Sequence, residues 1–243
     1  MDSNASSVVT PIGAGTFSSA MTTAHNYMKW VLDPFRPFIG KHVLEVGMGH
    51  GGYVDNIPHL HSYTGLDIAQ DLVLALQLKY PDRHYVSVDI TSPVLQRELN
   101  GKKYDTVMCL NVLEHIEQDR GAIQGMIGAL QSGGHLMIFV PAFQFLYSEM
   151  DKLAGHYKRY TKADFRLLFA GMPVQIVKSH YFNALGGIGW WINKLNKPKT
   201  LNDPSVNGQL AFFDKWLIPV ARVFDFVMRP FFGQSLVVII RKD

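Results

Sequence analysis

Between His42 and Pro141, five short apolar, β-branched runs alternate with stretches of helical periodicity, and this limits the fold more than any other feature. The runs are HVLEV, SYTGLDI, HYVSVDI, YDTVMCLN and GHLMIFVP; QDLVLALQLKY and DRGAIQGMIGALQ repeat apolar residues at helical spacing. Strands alternating with helices predict β-α-β units and a parallel sheet. Right-handed crossovers then place any ligand at the carboxyl ends of the strands, near the switch in strand order. Upstream, HNYMKWVLDPFRPF predicts a helix broken by Pro34 and Pro37. Downstream, TKADFRLLFAG predicts a helix with Thr161 as N-cap and Asp164 completing a capping box. VQIVKSHYFN and QSLVVII predict two more strands. FFDKWLIPVARVFDFVMRPFF carries apolar residues at 213, 216, 217, 220, 224, 227, 228 and 231, a helical stripe interrupted by Pro219. That stripe is expected to pack on the sheet; the alternative is a hydrophobic cap or a peripheral membrane contact for a lipid-linked substrate.

A chain of 243 residues suits one large domain, here 25–243, with lid or substrate elements at 25–38 and 184–232 and a loose polar arm over 1–24. The net charge of +3, without a Lys/Arg stripe, argues against nucleic acid as a partner. Cys109 is the one cysteine, so a disulfide framework and a cysteine-ligated zinc site are both ruled out. No basic residue precedes Lys29, unlike a secretory signal, and LMIFVPAFQFL is too short to span a bilayer. The expectation is a soluble, cytoplasmic protein acting on a small-molecule substrate, of unspecified oligomeric state.

HVLEVGMGHGG admits two readings. Gly47, Gly49 and Gly52 fit G-x-G-x-x-G, the dinucleotide fingerprint; Gly47, Gly49 and Gly51, after the acid Glu45, fit G-x-G-x-G. Asp67, 20 residues beyond Gly47, can accept from ribose hydroxyls, and Asp89 with the amide of Ile90 can meet adenine. Both point to adenosine without choosing between NAD and S-adenosylmethionine. The choice comes from elsewhere. No Tyr-x-x-x-Lys pair for hydride transfer occurs, and Glu45 suits a cationic sulfonium better than a pyrophosphate.

VLEVGMGHGG, GLDI, SVDI, YDTVMCLNVLEHI and GGHLMIFVP together resemble the successive cofactor motifs of the class I S-adenosylmethionine-dependent methyltransferases. NYMKW, GHYKRYT, YFNALGGIGWW and FGQSL are further similar to a bacterial subgroup with NYxxW, GHYRRYT, YFNxLG…GWW and FGQSL. The resemblance implies a Rossmann-like fold: a seven-stranded, mostly parallel sheet with helices on both faces, the last strand antiparallel after an aromatic-rich helical insertion. It implies Gly47, Gly49 and Gly51 against the methionine moiety and Asp67 at the ribose, with Ile68 also among the cofactor-binding residues. Asp89 and Ile90 would meet adenine, and Asn111 and Val112 the pocket rim. His50 and the extra Gly52 depart from the usual loop.

The fold leaves the acceptor to the loops. The candidates are His156, Tyr157, Arg159 and Tyr160 in GHYKRYT, His180, Tyr181 and Asn183 in HYFN, and Tyr27 and Trp30 as a lid. Tyr27, His156, Tyr157, Tyr181 and Asn183 form the catalytic set; Tyr27 and Tyr181 would face the sulfonium, and a base is needed only for a hydroxyl acceptor. Trp190 and Trp191 are expected to pack or to form apolar surface rather than to take part in catalysis. Glu114 and His115 are expected to open a short helix and buttress the sheet edge, and His59 and His61 to lie at the surface; no metal is expected. The reaction expected is methyl transfer to a small molecule, in biosynthesis of a secondary metabolite or an envelope component. The alternative is a cyclase or lyase, in which the cofactor's own amine displaces methylthioadenosine.

Overall fold

The computed structural model describes residues 24–194, 208 and 212–243. The arm expected over 1–24, Ala24 excepted, therefore lies outside the described residues, as do 195–207 and 209–211 of the expected insertion.

The five apolar runs form parallel strands: β1 (His42–Val46), β2 (Ser62–Asp67), β3 (His84–Ser87), β4 (Tyr104–Leu110) and β5 (Leu130–Pro141). Four of the five β1 residues are buried, as befits a parallel strand covered on both faces. With β6 (Val174–Phe182) and β7 (Ser235–Lys242) they make one seven-stranded sheet in the order β3-β2-β1-β4-β5-β7-β6. Six strands run parallel; β7 lies antiparallel between β5 and β6. The strand order reverses between β1 and β4, so the crevice at their carboxyl ends is where this topology places a ligand.

The helices are α1 (His25–Leu32), α2 (Gln70–Lys79), α3 (Leu95–Glu98), α4 (Asp119–Ala129), α5 (Glu149–Leu153), α6 (Lys162–Leu168), α7 (Ala184–Asn193) and α8 (Ile218–Met228). α1 ends ahead of Pro34, which offers no N–H to the ladder. The capping box at α6 forms as its residues predict, the Asp164 amide donating to Thr161 and Asp164 accepting from the Thr161 amide at 2.7 Å. One core, including Leu44, Val107, Ile138 and Phe165, covers one sheet face; a second, including Trp30, Phe35, Val43, Met108 and Val237, covers the other.

The structure overturns the expected packing of the late helical stripe. A π-helical turn (Phe213–Leu217) leads into α8, with Pro219 in its first turn, where its missing N–H costs nothing. The buried face of α8 is Ile218, Ala221 and Asp225, while Trp216, Val220, Phe224, Val227 and Phe231 are exposed. The helix is apolar on nearly every side, so a polar contact sets its rotation. The Asp225 carboxylate accepts from the amides of Asn183 (2.6 Å) and Ala184 (2.7 Å) at the start of α7, which turns the aromatic face outward. Among the described residues no helix is long and apolar enough to cross a membrane.

Candidate functional site

The loop after β1 adopts the G-x-G-x-G reading. Gly47, Gly49 and Gly51 have φ of 66°, 51° and 72°, whereas Gly52 has no positive φ. A Cβ at Gly47 would run into the Val112 side chain, so the loop after β1 and the residues after β4 close on each other. Asp67, at the tip of β2, accepts from the amides of Gly49 (3.1 Å) and Ala69 (3.0 Å) and holds the loop against its strand. Beneath it Glu45 is buried and accepts from the Tyr63 hydroxyl at 2.7 Å. Burial raises the Glu45 carboxyl from 4.5 to about 7, against the pull of that hydrogen bond.

The other expected cofactor residues line the same edge. Asn111 takes a left-handed conformation (φ 56°) and donates its amide to the Phe139 carbonyl at 2.8 Å. The Tyr53 hydroxyl lies within hydrogen-bonding reach of Asn111, close enough to feel Tyr27, Glu45 and Glu114, so it sits where the elements converge; burial pushes it well up. Nothing in the motif pattern had singled out Tyr53. Asp89 lies beyond β3 in an exposed turn, its carboxylate accepting from the Thr91 amide and hydroxyl, both at 2.7 Å. Ile90 is buried against Gly125 of α4, and Ile68 is half exposed.

The GHYKRYT loop docks on the residues after β4, the Tyr157 amide donating to the Glu114 carbonyl at 2.8 Å. Contact brings together groups far apart in sequence. Asp151, fully buried in α5, takes a bidentate grip on buried Arg159 (2.8 and 3.1 Å) and lies 2.9 Å from His156 Nδ1. His115 meets the His156 ring edge-on at 4.7 Å, and Glu114 is 1% exposed. Burial raises the Glu114 carboxyl from 4.5 to about 7, although His156 and Arg159 pull it down; burial lowers His115 from 6.5 to about 4. Glu114 and His115 lie in a short 3-10 turn (Leu113–His115) after β4, Glu114 buried and His115 half-buried. Asp151 is, with Tyr53, a residue that sequence reasoning missed, because its contacts with His156 and Arg159 form only when the loop folds back on α5. Tyr160 is buried, with its hydroxyl on the Leu113 carbonyl (3.1 Å), and Tyr157 is exposed.

The remaining candidates form a second group where β5 and β6 end and β7 begins, with Pro141 and Phe182 both registered on Ser235. Tyr27 is buried, its hydroxyl within reach of Asn183 and Ser235, and burial pushes it up to about 12. Its ring packs edge-on against Trp30 and Phe182. Asn183 (φ 60°) caps α7, accepting from the Gly186 amide at 2.9 Å and donating to Gln234, so its side chain is spent on structure. Tyr181 stacks on Phe143 at 4.4 Å with Lys162 over its ring, away from Tyr27. His180 is lowered to about 4 by burial. Trp190 packs over Arg159 and donates to the Leu146 carbonyl, while Trp191 is exposed. His59 and His61 lie at the surface.

The seven-stranded sheet in this order, together with the matches that follow, makes the protein a class I S-adenosylmethionine-dependent methyltransferase, and the glycine cradle at its switch point is the candidate cofactor site. Residues 44–136 match the family model described as a methyltransferase domain. The chain is similar to the ubiquinone biosynthesis O-methyltransferase of Paracidovorax citrulli, 29% identical over 75% of this chain and 80% of the relative. It is also similar to that of Glaesserella parasuis, 22% identical over 69% of this chain and 79% of the relative. The Vibrio cholerae relatives of the same name match over only 45% of either chain. Among solved structures, an S-adenosylmethionine-dependent methyltransferase from Archaeoglobus fulgidus shares the fold, with a TM-score of 0.57 and 17% identity over 90% of this chain and 94% of the other.

Proposed function

We propose that this enzyme methylates a hydroxyl group of a small, lipid-linked acceptor in the biosynthesis of an envelope component or a secondary metabolite. The observation that carries the reading is the convergence of the glycine cradle, Tyr53 and the cluster of buried Glu114 and Asp151 with half-buried His156 on one edge of the sheet.

S-Adenosylmethionine fits what is present: three left-handed glycines leave the backbone open to a ligand, and Asp67 offers a carboxylate at the right strand tip. The cofactor supplies a methyl group on a positively charged sulfur. Gly47, Gly49 and Gly51 would seat its methionine part, Asp67 and Ile68 the ribose, Asp89 and Ile90 the adenine, and Asn111 and Val112 the rim. Glu45 beneath the loop favours a cationic ligand once ionised. Tyr27 closes the pocket from α1. Alignment of acceptor and methyl is worth about 7–11 kcal/mol, so holding the acceptor outranks deprotonating it. A hydroxyl still has to lose its proton. His156, held by Asp151, and Glu114 are the groups placed to take it, for about 10²–10⁴-fold.

The exposed aromatic face supports a lipid-linked acceptor. Trp191, Trp216, Phe226 and Phe231 are exposed, with Lys215 over the Trp216 ring and Arg229 over the Phe226 ring, a pairing of aromatic and basic groups suited to the surface of a bilayer. The naming of both relatives for ubiquinone biosynthesis points the same way. The test is incubation with methyl-labelled S-adenosylmethionine and a panel of polyprenylated and simple phenols. S-Adenosylhomocysteine with a labelled methyl ether is the expected product. Methylthioadenosine without labelled acceptor would replace this reading with the cyclase or lyase.

A further inference from the structure

We infer that Glu114 Oε2, His115 Nδ1 and His156 Nε2 form a binding site for one divalent cation of the zinc and manganese type. Among the described residues, one ligand atom from each of these three side chains lies within 4.8 Å of the other two. A first-row ion at about 2.1 Å from each ligand needs ligand atoms about 3–3.5 Å apart, so a small side-chain adjustment closes the set.

The free lone pairs weigh more. Glu114 Oε2 is buried without a hydrogen-bond partner, and so is His115 Nδ1. Buried polar atoms are nearly always paired, and two orphans on members of one cluster mark a place built for something that accepts lone pairs. Each ring also has a protein partner on one side. The His115 ring also meets the Gly155 backbone, while its Nδ1 is buried without a hydrogen-bond partner. Asp151 holds His156 through Nδ1 at 2.9 Å and leaves Nε2 free. A carboxylate or carbonyl behind each imidazole is the arrangement by which proteins orient histidine ligands to a metal. Arg159 in turn fixes Asp151 with two bonds, at 2.8 and 3.1 Å, so the supporting shell is itself rigid.

Two imidazoles and one carboxylate select zinc, manganese or iron over magnesium and calcium, which prefer all-oxygen sites. Three protein ligands leave coordination positions open, and these can accept the oxygen of the acceptor. This inference rests on the reading of a hydroxyl acceptor and deepens it: an ion here lowers the pKa of a bound hydroxyl. His156 Nε2 then serves the cation rather than a proton, so the two roles exclude each other and metal titration decides between them.

The experiment uses the full chain, stripped with chelator and desalted. MnCl2 is titrated with electron paramagnetic resonance of the free ion, ZnCl2 by calorimetry. One saturable site per chain is expected, weakened at least tenfold in E114Q and in H156A, unchanged in the surface control H61A, and not displaced by a tenfold excess of MgCl2. Circular dichroism confirms that each variant is folded, and isosteric E114Q protects against a folding defect. No saturable binding to the wild-type chain, or binding that survives both E114Q and H156A, overturns the inference. S-Adenosylhomocysteine release, measured separately, keeps the two readings apart. Product formed by a chain that binds no metal defeats the inference and leaves methyl transfer standing; metal bound without product does the reverse.

Discussion

Glu45→Gln separates the electrostatic role of the acid under the glycine loop from its role in packing. The substituted amide keeps an oxygen to accept from the Tyr63 hydroxyl, now 2.7 Å from Glu45, and removes only the ionisable group. Burial raises the carboxyl from 4.5 to about 7, so the folded state holds a proton that the unfolded chain has released. Below pH 4.5 both states are protonated and the group costs nothing. Between 4.5 and about 7 the unfolded state alone gains by ionising, so wild-type stability falls as pH rises, and above 7 the full cost applies. A shift of this size corresponds to about 3 kcal/mol at 1.36 kcal/mol per pKa unit. Urea denaturation of both proteins from pH 4.5 to 8 measures it. The stability of E45Q minus that of wild type is expected to rise by up to about 3 kcal/mol across that window, with equal m-values. A cationic ligand above the ionised carboxylate adds a linked effect, by which S-adenosylmethionine affinity rises through pH 7 in the wild type and less in E45Q. A stability difference flat to within about 0.5 kcal/mol over the same range would refute the assignment of a strained, desolvated acid at this position.

The glycine loop gives a discriminating pair. Gly51→Ala places a side chain at φ 72°, costing about 1–2 kcal/mol and weakening S-adenosylhomocysteine binding in calorimetry, whereas Gly52→Ala meets only the flexible Met28 sulfur and is expected to bind nearly as wild type. Asp151→Asn leaves Arg159 buried without its counter-charge, and chemical denaturation should show a loss of about 3–5 kcal/mol. Asp214→Ala removes the carboxylate that accepts from the Tyr27 amide at 2.7 Å at the start of α1; a loss of about 1 kcal/mol in thermal melts is expected. Trp216→Ser with Phe226→Ser, both on the exposed face, should change stability by less than about 0.5 kcal/mol each while abolishing sedimentation with phosphatidylglycerol vesicles; unfolding of the pair would mean that this face is packed.

The sheet was legible in the sequence because its signal is local. Each parallel strand is a short apolar run bounded by a turn, and Gly47, Gly49 and Gly51 announce their own left-handed backbone. The capping box of Thr161 and Asp164 was readable for the same reason, since donor and acceptor lie three residues apart. The Glu114, His115 and His156 cluster was not. Its first two members were visible as neighbours, but the third lies 41 residues on and arrives only because the Tyr157 amide docks on the Glu114 carbonyl. Asp151 was invisible for a related reason: its function is to hold His156 and Arg159, and that shows only when the loop folds back on α5.

The late helix is the opposite case, and it bears on function. Periodicity assigns the burial of a helix by the side on which apolar residues recur, and that assumes a polar side to contrast with. From Phe212 to Phe231 there is little contrast, so the pattern could name a helix but not its rotation. The rotation is set instead by Asp225, an acid that goes inward because two backbone amides at the start of α7 have no other acceptor there. A second polar tether, Arg222 to Asp33 at 2.6 Å, joins this helix to the end of α1, and Asp214 joins the preceding turn to its beginning. α1 supplies Tyr27, whose hydroxyl reaches Asn183 and Ser235 at the carboxyl edge of the sheet. The outward aromatic face and Tyr27 are therefore parts of one tethered unit.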